Sequence, residues 1–252
     1  MVADQRVATE DQGVAVTYLK HVFEEFYNSL VPIHRDGHKF IAVALAIAFL
    51  GFLIWSPIGW VFTILTAAAA YFFRDPERVS PLRDGLVVSA ADGKITAIEN
   101  MHPPQALGLG DDERTRVTVC ISPFDVHVNR SPITGRVARA VYIPGAFSSS
   151  RRAEAGEENE RRGLILTTPD GVELAVVQIA GLVSRRIVSV VSEGDSVAIG
   201  QRIGLIRFGS RIDVYLPPGH SALVAVGQTA IAGETVLCDL KSTEAVRETL
   251  RS

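Results

Sequence analysis

Hydrophobic and polar positions follow three successive patterns along the chain. Val16, Leu19, Val22, Phe23, Phe26, Tyr27 and Leu30 recur at helical spacing with Lys20, Glu24 and Glu25 between them, which predicts an amphipathic helix. Such a helix can lie in a membrane interface or pack on a globular domain, and the pattern leaves both open. The polar residues 1–12 ahead of it read as disordered. No charge then occurs between Lys39 and Arg74, and only Ser56-Pro57 interrupts the apolar run. One helix of that length would reach roughly 50 Å against a hydrocarbon core of ~30 Å, whereas two halves of about 16 residues span about 24 Å each. The run therefore predicts a helical hairpin over residues 40–73 that spans or dips into a bilayer, with a buried core hairpin as the alternative. Its start, late and behind a polar stretch, argues against a cleaved signal peptide.

From residue 86 onward the pattern becomes short apolar runs punctuated by Gly, Pro, Asp and Asn. These predict strands at Leu86–Ser89, Gly93–Glu99, Arg116–Ile121, Gly135–Tyr142, Gly163–Thr168 and Glu173–Ala180, and on to the C-terminus. Asp170-Gly171 reads as a hairpin turn. Residues 191–200 and 226–236 echo each other weakly and resemble the hairpins of biotinyl and lipoyl carriers. No lysine lies between Lys94 and Lys241 to carry such a group, so that likeness is one of fold. Two stretches read as loops: residues 100–115 as a plain surface connection, and the mixed-charge residues 148–162 as a solvated loop or a mobile segment near a substrate entrance. The expected class is mainly β, a barrel-sandwich-like antiparallel domain over 74–252, behind a tail and amphipathic helix (1–39) and the hairpin (40–73).

Composition changes this picture little. At 252 residues, with 47% hydrophobic content and a mean hydropathy of +0.22, the chain suits one domain plus an apolar segment. Cys120 and Cys238 sit in separate strand-like runs, which excludes a disulfide scaffold and suits a reducing compartment. No histidine and cysteine cluster has metal-site spacing, and a net charge of −3 without a basic aromatic tract argues against nucleic acid.

The chemistry-bearing feature is Arg207-Phe208-Gly209-Ser210-Arg211, a Gly-Ser bond between two strand-like stretches. A serine hydroxyl can attack the preceding glycine carbonyl and turn the amide into an ester, since glycine offers no side-chain obstruction. Elimination from that ester frees a carboxylate on Gly209 and leaves dehydroalanine at 210, which gains water, loses ammonia and becomes a pyruvoyl group. That ketone can form a Schiff base with an amine and accept the electrons released as carbon dioxide leaves. As a bare dipeptide, Gly-Ser is more often a turn.

The segment RFGSRIDVYLP from Arg207 to Pro217 resembles the maturation site of phosphatidylserine decarboxylase proenzymes, in particular their short bacterial and archaeal form. Phe72–Arg78 (FFRDPER), Ser89–Lys94 (SAADGK) and Ser122–Arg130 (SPFDVHVNR) agree with it in order, over about residues 30–240. The resemblance implies a cut between 209 and 210, giving a β chain (1–209) and an α chain (210–252) that stay together as a heterodimer. It implies Ser210 as the source of the pyruvoyl cofactor, with no metal and no pyridoxal phosphate. It makes His127 the candidate base and Asp92 the group that orients and charge-stabilises the imidazolium; without it, His127 would read as a structural histidine and Asp92 as a turn.

Longer family members carry two histidines three residues apart here, whereas this chain has His127 and then Arg130. Either His127 serves both maturation and decarboxylation, or Asn129 and Arg130 share the task, arginine as a carboxylate or phosphate ligand. Arg74 and Arg78 are candidates for lipid phosphates or simple positive-inside flanks. The implied activity converts phosphatidylserine to phosphatidylethanolamine at the inner cell membrane, with the catalytic domain on the cytoplasmic side and membrane lipids as partners. The alternatives are a pyruvoyl decarboxylase of a soluble amino acid and a membrane-tethered adaptor without chemistry.

Overall fold

The structure is a computed structural model that describes residues 31–145, 159–181, 187–207 and 210–242. The expected disordered tail and amphipathic helix, most of the 148–162 stretch, and Phe208 and Gly209 fall outside the described residues.

The charge-free run forms two helices, α1 (Arg35–Ile54) and α2 (Ser56–Phe72). Trp55, extended at φ −162° and ψ 122°, breaks them, and Pro57 falls in the first turn of α2, where its missing N–H costs nothing. The helices meet closely at glycines: a Cβ on Gly59 would sit 2.3 Å from the Phe52 ring. Helix α1 begins at Arg35, about a turn earlier than the charge pattern indicates, so its 20 residues extend about 30 Å and are long and apolar enough to cross a membrane. Helix α2 is shorter. The core-hairpin alternative does not fit these residues: Phe49, Leu50, Leu53, Ile54, Trp60, Ile64 and Leu65 are exposed, while α1 buries only Gly37, Ala48 and Gly51.

Among the described residues thirteen strands follow: β1 (Leu86–Val88), β2 (Gly93–Met101), β3 (Arg114–Ile121), β4 (Val128–Arg130), β5 (Gly135–Ile143), β6 (Arg161–Thr167), β7 (Glu173–Ile179), β8 (Ile187–Ser189), β9 (Ser196–Val197), β10 (Arg202–Ile206), β11 (Ser210–Tyr215), β12 (Thr229–Ala230) and β13 (Val236–Asp239). They build an eight-stranded antiparallel sheet in the order β12-β2-β3-β11-β7-β6-β5-β9, flanked by β4-β10-β8 and β1-β13. Alternating residues such as Val117, Val119, Ile121 and Ile212, Val214 fill one core. The mainly-β expectation holds: the six strands placed from the pattern agree within two residues at each end, and the short β4 among them was not placed.

The weak echo in the sequence is the trace of a duplicated unit. The order β12-β2-β3-β11 is mirrored by β9-β5-β6-β7. Ser89 Oγ donates to Ala91 O at 2.7 Å, and Ser131 Oγ donates to Ile133 O at the same distance. Gly233 N donates to Ser89 O, and Gly200 N to Ser131 O, both at 2.8 Å. By strand register Asp92-Gly93 corresponds to Thr134-Gly135, and Ser210, at the start of β11, to Val172, just before β7.

Residues 100–115 are more than a surface connection. Leu107, in a 3-10 turn at Gln105–Leu107, and Leu109 are buried against Ile165, Ala175, Val177, Ile179 and Tyr215 as a second core. Apolar area on the outer sheet face attracts them, and a Cβ on Gly163 would lie 2.1 Å from Leu107 Cδ2.

Candidate active site

Strand register assembles the site. Ser210 opens β11 opposite Ile121, the last residue of β3. On the other side of β3, Lys94 pairs with Cys120, which brings Asp92 and Gly93 to the same end. Gly93 has φ +149°, and a Cβ there would lie 2.2 Å from Cys120 O, so no other residue fits. His127 precedes β4, and Ile206 N donates to His127 O at 3.3 Å just before the chain runs on to Ser210. The backbones of Asp92, His127 and Ser210 thus converge at one end of the sheet.

The His127 side chain is fully buried. Its Nδ1 lies 2.9 Å from Asp125 O, and since a carbonyl only accepts, Nδ1 carries the proton in the neutral ring and Nε2 presents a bare lone pair. Among the described residues Nε2 has no hydrogen-bond partner. Burial pushes the pKa down to about 4; the contact with Asp125 O opposes this, and the charge of Arg74 adds to it. The ring is therefore a neutral proton acceptor at pH 7. Asp125 is itself held in a turn, Oδ2 accepting from Ser122 N at 2.7 Å, and Phe72 lies against the imidazole with ring centroids 4.0 Å apart.

Asp92 Oδ1 accepts from Ala232 N at 2.8 Å, and Oδ2 pairs with Arg78 Nη2 at 2.6 Å. Burial raises its pKa, while Ala232 and Arg78 pull it back. In the duplicate, Thr134 Oγ1 accepts from Ile199 N at 3.0 Å, so a threonine closes the equivalent turn. The second carboxylate oxygen is therefore surplus to the fold. No hydrogen bond joins Asp92 to His127: Asp125 O orients the imidazole, whose Nε2 carries no proton to donate, while Asp92 accepts from Arg78 and Ala232.

The four weaker candidates separate. Arg130 is buried, with Nη1 on Gly200 O at 2.9 Å and Nη2 on Asp75 Oδ1 and Pro76 O, so its guanidinium braces the FRDPER segment. Arg202 joins the same Asp75. Asn129 Oδ1 accepts from Gln178 Nε2 at 2.8 Å, and its buried Nδ2 has no partner among the described residues. Arg78 turns inward to Asp92. Arg74 stays at the surface, donating to Tyr71 O and Phe124 O with its guanidinium carbon 3.9 Å above the Tyr71 ring. Asp75, Asp125, Phe72 and Arg207 lie inside the motifs read from the sequence, but that reading gave them no individual role. For Asp125 a signal existed, an Asp three residues after a serine in a Ser-Pro turn.

A family model described as phosphatidylserine decarboxylase matches residues 65–238. The chain is 52% identical over 216 residues to a phosphatidylserine decarboxylase proenzyme of Cereibacter sphaeroides (strain ATCC 17025 / ATH 2.4.3), covering 86% of this chain and 93% of the relative. It is 53% identical over 222 residues to the proenzyme of that name from Xanthobacter autotrophicus (strain ATCC BAA-1158 / Py2), covering 88% and 94%. Two such matches and a sheet end that gathers the motif residues lead to one conclusion: the chain belongs to the phosphatidylserine decarboxylase family and is a carboxy-lyase.

Proposed function

We propose that this chain cuts itself between Gly209 and Ser210 and then decarboxylates phosphatidylserine to phosphatidylethanolamine at a membrane, as a step of phospholipid synthesis. The observation that carries the reading is the buried Nε2 of a neutral His127, without a partner among the described residues, at the end of the sheet where β11 begins. An orphaned acceptor there fits a serine that must lose its proton. His127 Nε2 takes the Ser210 Oγ proton as the oxygen adds to the Gly209 carbonyl, and the amide becomes an ester. Removal of the Ser210 α-proton then breaks the Cβ–O bond, releasing the Gly209 carboxylate and dehydroalanine. Asp92, a buried carboxylate paired with Arg78 at this end of the sheet, is the group that takes that α-proton. Water replaces the nitrogen of dehydroalanine, and ammonia leaves.

A pyruvoyl group at 210 supplies an electrophilic ketone that takes up the substrate amine and the electrons freed with carbon dioxide. Around it, His127 Nε2 moves the proton that ends up on the substrate α-carbon, the free Nδ2 of Asn129 suits the serine carboxylate, and Arg74 suits the lipid phosphate. Arg130 braces the site through Asp75 instead of binding substrate. The α chain (210–252) stays with the β chain (1–209) because β11 lies between β3 and β7 in the middle of the sheet. His34, Arg35, Lys39, Arg74 and Arg78 flank the hairpin on one side, which favours the cytoplasmic face of the inner membrane.

Family membership leaves the non-catalytic adaptor without support, and the exposed apolar hairpin favours a lipid over a soluble amino acid. Carbon dioxide release from phosphatidylserine vesicles tests the substrate. The wild-type chain should release it and Ser210→Ala should not. Equal release from free serine would overturn the lipid assignment.

A further inference from the structure

The foot of the hairpin contacts both Arg207, two residues ahead of Gly209, and the His127 ring. In the first turns of α1, Asp36 Oδ2 lies 3.5 Å from Arg207 Nη2, and the Phe40 ring centroid lies 5.2 Å from the Arg207 guanidinium carbon. Arg207 enters the Gly209-Ser210 bond. At the end of α2, Phe72 lies on the His127 ring at 4.0 Å. Phe73 joins the two grips, stacked on Phe40 at 5.5 Å and 8° and edge-on to Phe72 at 5.0 Å and 82°. Arg207, Phe40, Phe73, Phe72 and His127 therefore form one continuous packed chain.

This docking is tight. A Cβ on Gly37 would sit 2.5 Å from Phe73 Cβ, and His34 N donates to Phe73 O at 2.8 Å, closing the base of the hairpin. Phe72, Phe73, Val126, Val128 and Leu205 form an apolar cluster separate from the two sheet cores. A tether would need only the covalent link through Arg74. An ion pair, a cation–π contact and an aromatic ladder aimed at the cleavage corner exceed that need.

We propose that the hairpin foot is a positioning element for self-cleavage, in which Asp36 and Phe40 fix the chain entering the scissile bond and Phe72 fixes the His127 ring. A chain whose hairpin is not seated stays uncut, and the electrophile is made only beside the membrane that holds the substrate. The proposal rests on the self-cleavage reading, and its test separates the two.

The full chain is synthesised cell-free with lipid nanodiscs, and conversion to two chains is followed by gel and intact mass. Asp36→Arg and Arg207→Asp should each slow the cut on the order of tenfold, and Phe72→Ala on the order of 10²-fold, since small misplacements of reacting groups cost that much. The doubly exchanged Asp36→Arg/Arg207→Asp chain should recover most of the rate, and Phe72→Leu should exceed Phe72→Ala. Added hydroxylamine, which cleaves an ester to a Gly209 hydroxamate and a Ser210 amino terminus, should release fragments from wild type during the chase. From the Arg207 variant, which leaves the amide more slowly, it should release them on the order of tenfold more slowly. Single variants cut within about twofold of wild type, a double exchange no faster than its singles, or variants that lose protease resistance overall would overturn the positioning role. An uncut wild type would instead overturn self-cleavage itself.

Discussion

Protonation of His127 should work against the fold. The imidazole is fully buried, and its pKa is pushed from 6.5 to about 4. Between those values the unfolded chain binds more protons than the folded one. The contribution of the neutral ring is therefore complete above about pH 6.5, is lost as pH falls through the window, and levels off below about pH 4. At ~1.4 kcal/mol per pH unit the loss amounts to about 3 kcal/mol. Denaturant unfolding of the full-length Ser210→Ala chain in detergent, which keeps a single uncut species, measures it against Ser210→Ala/His127→Gln. From pH 7 to 4 the histidine chain should lose about 3 kcal/mol more than the glutamine chain. Parallel curves would refute the buried, neutral imidazole. The rate of self-cleavage should likewise stay flat from neutral pH down to about pH 5 and fall near 4, whereas a limb at 6.5 would mean that the ring meets water.

Other outcomes follow from single contacts. Arg130→Met leaves Asp75 buried with Arg202 alone and should cost about 3–5 kcal/mol of stability, while Asp75→Leu/Arg130→Met should cost much less; thermal unfolding compares them. The internal repeat sets a sharp test for Asp92: Asp92→Thr with Arg78→Met copies the Thr134 turn, so the chain should fold but cut at least about 10²-fold more slowly by gel assay. Leu107→Ala should destabilise by about 2–5 kcal/mol in chemical denaturation, against the ~0.5 kcal/mol of an ordinary surface loop.

The strands and the hairpin were legible because burial on one face writes a period into the sequence: Val117, Val119 and Ile121 alternate, and Ser56-Pro57 marks the only break in the apolar run. The packing of Leu107 was not, since two leucines among glycines and prolines carry no period. The bracing role of Arg130 was hidden for another reason. Its partner Asp75 lies 55 residues away, and FRDPER reads equally well as a positive flank. Motif resemblance brought forward His127 and Asp92, and register does bring their backbones together. Their lack of a direct contact was not legible, because their actual partners, Arg78 and Ala232 N for Asp92 and the Asp125 carbonyl for His127, are set by tertiary packing. The duplication explains why Asp-Gly alone misleads: Thr134-Gly135 makes the same turn without chemistry.

The intact mass of the purified protein under denaturing conditions tests the central claim most directly. Self-cleavage with pyruvoyl formation gives chains 1–209 and 210–252 whose masses sum to about 1 Da above the precursor, because one water is gained and one ammonia lost. A single chain of 27.2 kDa, or two chains summing to about 18 Da above it with an ordinary serine terminus, would contradict the account.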